Sequence, residues 1–396
     1  MAAHNLSPAA SVDVLEKQPV LGGCLSSYHM DQYTIERYYH HCFPTDAALF
    51  SLLEKLGIRD RLEWRSGTTG YYVHGSLYPL TTPREILAYP HLSLLDKVRL
   101  AILTLGARKK DIQTLDSITA EDFVVNRYGR NLYESFFEPL LASKFGEMRS
   151  TVSAAWLVSR IAIRSHRGVS GEHLGYLKGG FEQLIGALEQ SCTAAGCTIH
   201  RNEPLTELRK NGEKWVVNGR PYDRVLSTIP PSEVERISGL TMPSIPYQGA
   251  ACMTLGLERE VTEGIYWVNM KDPAPYGAVV AHTSFVPRDR YGESIIYLGS
   301  YFSGKPSAHL EERMLNDFSR RFGAAEADIH WHRLAVDRFA GPIYVAGYQS
   351  LIPEYEKNGL YMAGMFSRPN YPERSMEGSI RAGTEAATLL KNGLGS

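Results

Sequence analysis

Apolar and polar positions along this chain change period several times, and each change marks an element. Val12-Asp13-Val14-Leu15 is a short β-branched run that ends at Glu16-Lys17 and is followed by the turn-rich Gln18-Pro19-Val20-Leu21-Gly22-Gly23. The segment predicts a buried strand that delivers an acid to a loop. From Thr45 to Leu56, the apolar residues Ala48, Leu49, Leu52, Leu53 and Leu56 share one helical stripe, and Gly57 stands as a stop. That pattern is an amphipathic helix. Aromatic-rich alternation from Gly70 to Leu80 places His74-Gly75 at a hairpin tip. Between Ser93 and Ile163 the pattern turns helical, with long stretches over 94–105 and 120–141, and reads as a helical insertion.

After the insertion, Gly179-Gly180 precedes a helix over Phe181–Ala195 that Gly196 ends, and Cys197-Thr198-Ile199-His200 reads as a strand. Trp215-Val216-Val217 and Arg224–Thr228 are further β pieces, the second ending at Ile229-Pro230-Pro231, where proline cannot continue a central strand. Residues 249–344 carry several β runs, at 250–257, 277–281 and 294–298, with a helix over 309–322, and suggest a second sheet. The chain closes with a strand over 359–364 and a helix over 375–390. Gly378, Ala382, Gly383, Ala386 and Ala387 on that helix suit close packing against a sheet or a cofactor.

With 396 residues the chain exceeds the size at which one core keeps growing, so two domains are expected. A net charge of -1 gives no electrostatic reason to expect nucleic acid. The five cysteines are scattered without a C-x-x-C pair, which argues against a disulfide framework and a structural zinc site; no metal is expected, and a reducing cytoplasm fits best. No signal peptide or apolar run of roughly 20 residues is visible. Peripheral contact with a membrane stays open.

An acid at the end of a second strand, about 20 residues after a glycine-rich loop, accepts hydrogen bonds from an adenosine ribose in a dinucleotide-binding fold. Glu16 is placed for that role; a surface acid that merely ends a strand is the alternative. Leu21-Gly22-Gly23-Cys24-Leu25-Ser26-Ser27 then resembles the R-x-G-G-R-x-x-S/T element of the flavin-containing amine oxidase, protoporphyrinogen oxidase, phytoene desaturase and UDP-galactopyranose mutase superfamily. Gly22, Gly23 and Ser27 match it, while Val20 and Cys24 stand where arginines are usual. Glu36-Arg37-Tyr38-Tyr39-His40-His41 lies where relatives carry an acid, two glycines and a histidine near the flavin, which makes His40 and His41 catalytic candidates beside a structural role. Gly175–Phe181 resembles the second entry to the cofactor domain, the Asn202–Leu205 turn the segment beside adenine, and Val225–Pro231, with Thr228, the crossover to the substrate domain. Leu360–Met365 resembles the closing strand, with Met365 for the usual aspartate, and the helix after Ser375 is the one whose N-terminus faces the flavin pyrimidine in relatives.

The resemblance implies an FAD-contact set of Glu16, Gly22, Gly23, Ser27, Leu205, Thr228, Gly364, Met376, Glu377 and Gly378. Relatives open with a strand and G-x-G-x-x-G, which in register would precede Met1. Residues 2–10 correspond to the helix after that loop, weakened by Ser7-Pro8, so the chain as written is expected to hold FAD weakly.

The expected fold class is α/β: an N-terminally truncated Rossmann-like FAD/NAD(P)-binding domain over 1–85, 170–245 and 345–396, and an α+β substrate domain over 86–169 and 246–344 that includes the helical insertion. The implied chemistry is hydride transfer from a C–H or C–N bond of a small, hydrophobic substrate to non-covalently held FAD. Tyr71, Tyr266, Trp267 and Tyr301 are pocket-wall or core aromatics. Two other readings stand beside this one. One is a non-redox sugar-nucleotide mutase using Arg160, Arg164 and Arg167 for a diphosphate, and the other is a cofactor-free remnant that acts by binding.

Overall fold

The structure, a computed structural model, describes residues 1–164 and 172–393. Two parallel strand pairs form the first layer. Asp13–Glu16 pairs with Thr198–Arg201, and Val225–Ser227 pairs with Leu360–Met362. Parallel neighbours need a crossover: Glu182–Ala194 lies in the first, and the strands of the second pair are separated in the chain by most of the seven-stranded sheet, with Met376–Asn392 following the last strand. Asp13–Glu16 is half-buried at all four positions rather than buried. Thr198–Arg201 is its one partner among the described residues, so its other edge stays accessible. The Ala2–Leu6 helix ends before Pro8 and packs with Leu6 against Tyr361, Ala387 and Leu390.

The second layer is a seven-stranded sheet in the order 329–342, 247–257, 294–302, 278–281, 267–270, 69–73, 76–79. Tyr247–Leu257 lies between two long antiparallel neighbours, which explains its unbroken run of buried positions from Gln248 on. The Leu310–Phe322 helix covers one face with Met314, Phe318 and Phe322. Ile329–Pro342 was not legible as a strand: it lies at the sheet edge and intersperses half-buried positions with exposed polar residues such as His330, His332 and Arg333. The Thr69–Val73 and Ser76–Pro79 hairpin, which the expected boundary at residue 85 places with the cofactor domain, joins this sheet through parallel pairing with Trp267–Met270. His74 and Gly75 form its two-residue tip at φ 50° and 77°. Both of their amides donate to the Asp272 carboxylate, at 2.8 and 3.1 Å.

The helical insertion contains Leu94–Gly106, Ala120–Tyr128, Glu138–Phe145 and Ala154–Arg164. Ser93 and Thr119 cap two of these helices by accepting from Asp96 N and Asp122 N. The expected helix over 120–141 is broken at Gly129, whose φ of 96° stops the first helix. Glu138–Phe145 packs on the sheet through Gly277, where an added Cβ would fall 2.6 Å from the Ser143 carbonyl oxygen. This contact brings Lys144 to the space between the insertion and the strand ends. Among the described residues no helix is long and apolar enough to cross a membrane, and no His, Cys, Asp and Glu group is arranged to hold a metal ion.

Candidate functional site

A cavity of about 1200 Å³ separates the parallel strands from the seven-stranded sheet. Ordinary small-molecule pockets are roughly 300–1,000 Å³, so there is room for more than one small ligand. Gly22, Thr228, Gly364, Met376, His40 and His41 line it, with Tyr71, Trp267 and Tyr301. Thr228 and Gly364 directly follow the carboxyl ends of Val225–Ser227 and Leu360–Met362, where open parallel sheets place their ligands. Glu16, Gly23, Ser27, Leu205, Glu377, Gly378 and Tyr266 are not among the lining residues.

Each of these has another place. The Glu16 carboxylate accepts from Gln18 N at 2.8 Å, and the Glu16 carbonyl accepts from Glu203 N at 2.9 Å, which sets the turn containing Leu205 beside it. Gly22 and Gly23 have φ of 105° and 55°, and an added Cβ at Gly23 would meet nothing within 4 Å, so that backbone is open to a ligand. Ser27 is buried where Ser27–His29 pairs with Thr34–Glu36.

The C-terminal element differs most from expectation. Ser375 caps the Met376–Asn392 helix by accepting from Gly378 N at 3.0 Å. The helix presents Met376, Ser379, Ile380 and Gly383 to the cavity, whereas Gly378 faces the preceding loop. A Cβ there would lie 2.4 Å from Asn370 Oδ1 and 2.6 Å from the Pro369 carbonyl oxygen. Gly378 is thus packed closely against the 368–370 turn, which leaves no room for a side chain. Glu377 accepts from Leu49 N at 3.0 Å and ties the helix to Ala47–Lys55. Asn370, fully buried, donates to the Gly364 carbonyl at 3.1 Å and accepts from Ser375 N at 3.0 Å, so it sets the strand end against the helix start.

His40 Nδ1 lies 2.7 Å from the Tyr38 carbonyl oxygen, and His41 Nδ1 3.1 Å from the Tyr266 hydroxyl. Burial pushes the His40 imidazole down to about 4 and His41 well below its usual range, with Arg374 adding at His40 and Arg164 and Arg160 at His41. Both rings are neutral near pH 7. Tyr39 and Tyr301 share a 3.2 Å hydroxyl contact, and Tyr39 meets the Trp267 ring edge-on at 4.9 Å. Behind this wall, His282 is 3 % exposed, its Nε2 is 2.7 Å from the Tyr291 hydroxyl, and burial lowers it to about 3 with Arg290 adding. The unfolded chain therefore takes up this proton first, and the stability due to neutral His282 is complete above about 6.5 and lost as pH falls toward 3. Denaturant midpoints of wild type and His282→Gln between pH 7 and 4 should diverge by on the order of 3 kcal/mol, the wild type losing more on acidification. Parallel curves would show that His282 is protonated in the fold.

One wall is strongly cationic. Lys144, Arg160, Arg164 and Arg374 line it with a single acid, Glu373. Glu373 Oε1 is 2.9 Å from Arg160 and 3.5 Å from Lys144 Nζ. Arg164 is 3.6 Å from Glu172 and lies over the Trp267 ring. Burial alone would raise Glu373, but Lys144 and Arg160 outweigh it and hold the carboxyl below its usual range. Burial, helped by Arg160, pushes Lys144 well below the ordinary ammonium range. Arg374 makes no ion pair within 4 Å among the described residues; its guanidinium lies against Gly341, where a Cβ would fall 2.4 Å from Nε, and close enough to Cys24 to act on that thiol. It therefore brings a positive charge to the neighbourhood of a position where relatives carry arginine in sequence. Lys144, Glu373, Arg374 and Asn370 were not singled out from the sequence; only the adjacent Glu373-Arg374 pair before the last helix gave any signal. Arg167 lies outside the described residues.

The arrangement suits a flavin. Open glycine backbone, the ends of two parallel strands and the capped start of a 17-residue helix converge on a cavity with room for a second molecule. The protein shares its fold with a putative protoporphyrinogen oxidase from Exiguobacterium sp. 255-15, at TM-score 0.78 and 19 % identity over 99 % of this chain and 96 % of that one. A reduced UDP-galactopyranose mutase superposes at TM-score 0.76 with 15 % identity, over 99 % and 92 %. Cyclohexylamine oxidase from Brevibacterium oxydans IH-35A does so at 0.67 with 16 % identity, over 100 % and 97 %. No curated protein matches the sequence. The model of the flavin containing amine oxidoreductases matches residues 1–391, and the chain belongs to that family of FAD-dependent oxidoreductases.

Proposed function

We propose that this flavoenzyme removes hydride from a small, largely apolar substrate that carries an anionic group. The observation that carries this reading is Arg374, a guanidinium without an ion pair among the described residues, in a cavity whose remaining lining is mostly aromatic and aliphatic, with Asp46 as its one further acid among the described residues. A cation so placed favours a ligand that brings its own negative charge. Gly22 and Gly23 would hold the FAD pyrophosphate, Thr228, Gly364 and Met376 the flavin, and Glu16 and Leu205 the adenosine end. When bound, FAD supplies the hydride acceptor. The protein's own part is orientation and proton handling. Arg374 and Arg160 anchor the anion, the Tyr39–Tyr301–Trp267 wall positions the apolar body and excludes water, and Lys144 Nζ, whose ammonium form burial disfavours and Glu373 at 3.5 Å supports, is the group that exchanges a proton with the substrate. Supply of such a substrate from a membrane surface, with the chain peripheral to the bilayer, is part of the proposal.

Anaerobic addition of 4-(aminomethyl)benzoate to the FAD-loaded protein should bleach the flavin at least about tenfold faster than benzylamine, which lacks the anion. Equal rates, or no bleaching by either, would sink the reading. The same cations fit a sugar-nucleotide diphosphate, which keeps the mutase alternative in view. It requires isomerisation of a UDP-sugar by pre-reduced enzyme without net flavin oxidation, which the oxidoreductase reading excludes.

A further inference from the structure

Six of the nine large hydrophobic side chains exposed among the described residues lie on two consecutive helices, Pro83–Ala88 and Leu94–Gly106. They are Leu87, Leu94, Leu95, Val98, Ile102 and Leu105, each at least half exposed, with Leu105 at 80 %. At about 100° per residue, those of the second helix cover an arc of roughly 100°. Its opposite side buries Asp96, Leu100 and Leu103 in the core. The helix is therefore apolar toward the interior and again toward solvent, which protein packing alone does not require.

The charges around the outer arc have one sign. By the same rotation Lys97 and Arg99 flank it on its two sides, Lys97 donating to the Leu87 carbonyl and Arg99 to Asp96, while Arg84 precedes the face and Arg108-Lys109-Lys110 follows its end. Residues 83–110 hold six Lys and Arg against two acids, and both acids are engaged internally. Glu85 accepts from Thr81 N and Thr82 N, and Asp96 is buried among Ser93, Arg99 and Asn131. The face also runs into the cavity, since Leu105, Ile86 and Leu80 belong to its lining.

We propose that this face docks on the surface of a bilayer containing anionic lipid. The leucines and isoleucine would enter the acyl boundary, Arg84, Lys109 and Lys110 at the ends of the face would meet lipid phosphates, and the cavity mouth would open toward the membrane. An apolar arc framed on both sides by long cationic side chains matches the layered polarity of an anionic bilayer surface. The inference rests on the proposed membrane supply of substrate, but its test reads binding alone and fails independently of any activity.

The test is co-sedimentation of the FAD-loaded chain with phosphatidylcholine vesicles with and without phosphatidylglycerol. Wild type should pellet with the anionic vesicles, and less at high salt. Leu95→Glu/Ile102→Glu should lower the bound fraction about tenfold, while Leu389→Glu, an exposed leucine on the last helix, should not. Arg84→Glu/Lys109→Glu leaves the apolar arc intact and should remove the preference for anionic vesicles, which keeps the test valid if the first variant misfolds. Absence of wild-type binding, equal loss in Leu389→Glu, or a wild-type dimer that Leu95→Glu/Ile102→Glu dissociates without any vesicle binding would overturn the proposal, the last assigning the face to a second copy.

Discussion

Arg374→Met in the FAD-loaded protein should weaken benzoate binding by about 100-fold while leaving benzamide within about threefold, both read from perturbation of the flavin spectrum. Benzoate and benzamide share an apolar ring and differ in charge, so their ratio isolates the anion contact. Loss of one partner from a desolvated charge pair typically costs about 2–5 kcal/mol, which sets the scale. Arg374→Lys keeps the charge but loses the two-pronged donor geometry, and an intermediate ratio is expected. The control is FAD affinity. If Arg374→Met weakens benzoate and benzamide equally, or releases FAD without changing their ratio, the guanidinium serves the fold or the cofactor rather than an anionic substrate.

The second large effect concerns Gly378. Its Cβ position lies 2.6 Å from a backbone carbonyl, that of Pro369, and 2.4 Å from the amide oxygen of fully buried Asn370. Neither neighbour is the free end of a flexible chain, so Gly378→Ala must displace the helix start or the 368–370 turn, at about 3 kcal/mol. Gly359 has φ 82° and no atom closer than 3.5 Å to the added carbon, so Gly359→Ala meets only backbone strain of about 1–2 kcal/mol. Denaturant unfolding of the two variants should show the larger loss at Gly378, with FAD affinity falling in step because Asn370 also holds Gly364 and Ser375. A stable Gly378→Ala that loses only flavin affinity would restore the direct contact with the ring.

Gly378 also shows how far reading along the chain reaches. The spacing of small residues after Ser375 reports that something approaches this helix closely, because only a missing side chain permits it; what approaches is decided by a loop eight residues upstream that folds back. The same division holds elsewhere. Strand and helix periods, the stops at Gly57 and Gly196, and the His74-Gly75 tip are local properties, since they depend on side-chain spacing and on φ within a few residues. The sequence alone therefore determined most of the element order, the family resemblance and four of the ten expected cofactor contacts that line the cavity by side chain or backbone: Gly22, Thr228, Gly364 and Met376, with His40 and His41 beside them. It did not show that Lys144 and Arg160 of the insertion meet Glu373 some 200 residues later, that Arg374 lies beside Cys24, or that Thr69–Pro79 joins the second sheet. Those contacts are long-range: each side chain reads as an ordinary surface charge or hairpin in its own segment, and only the packing of distant elements removes it from water and gives it a partner.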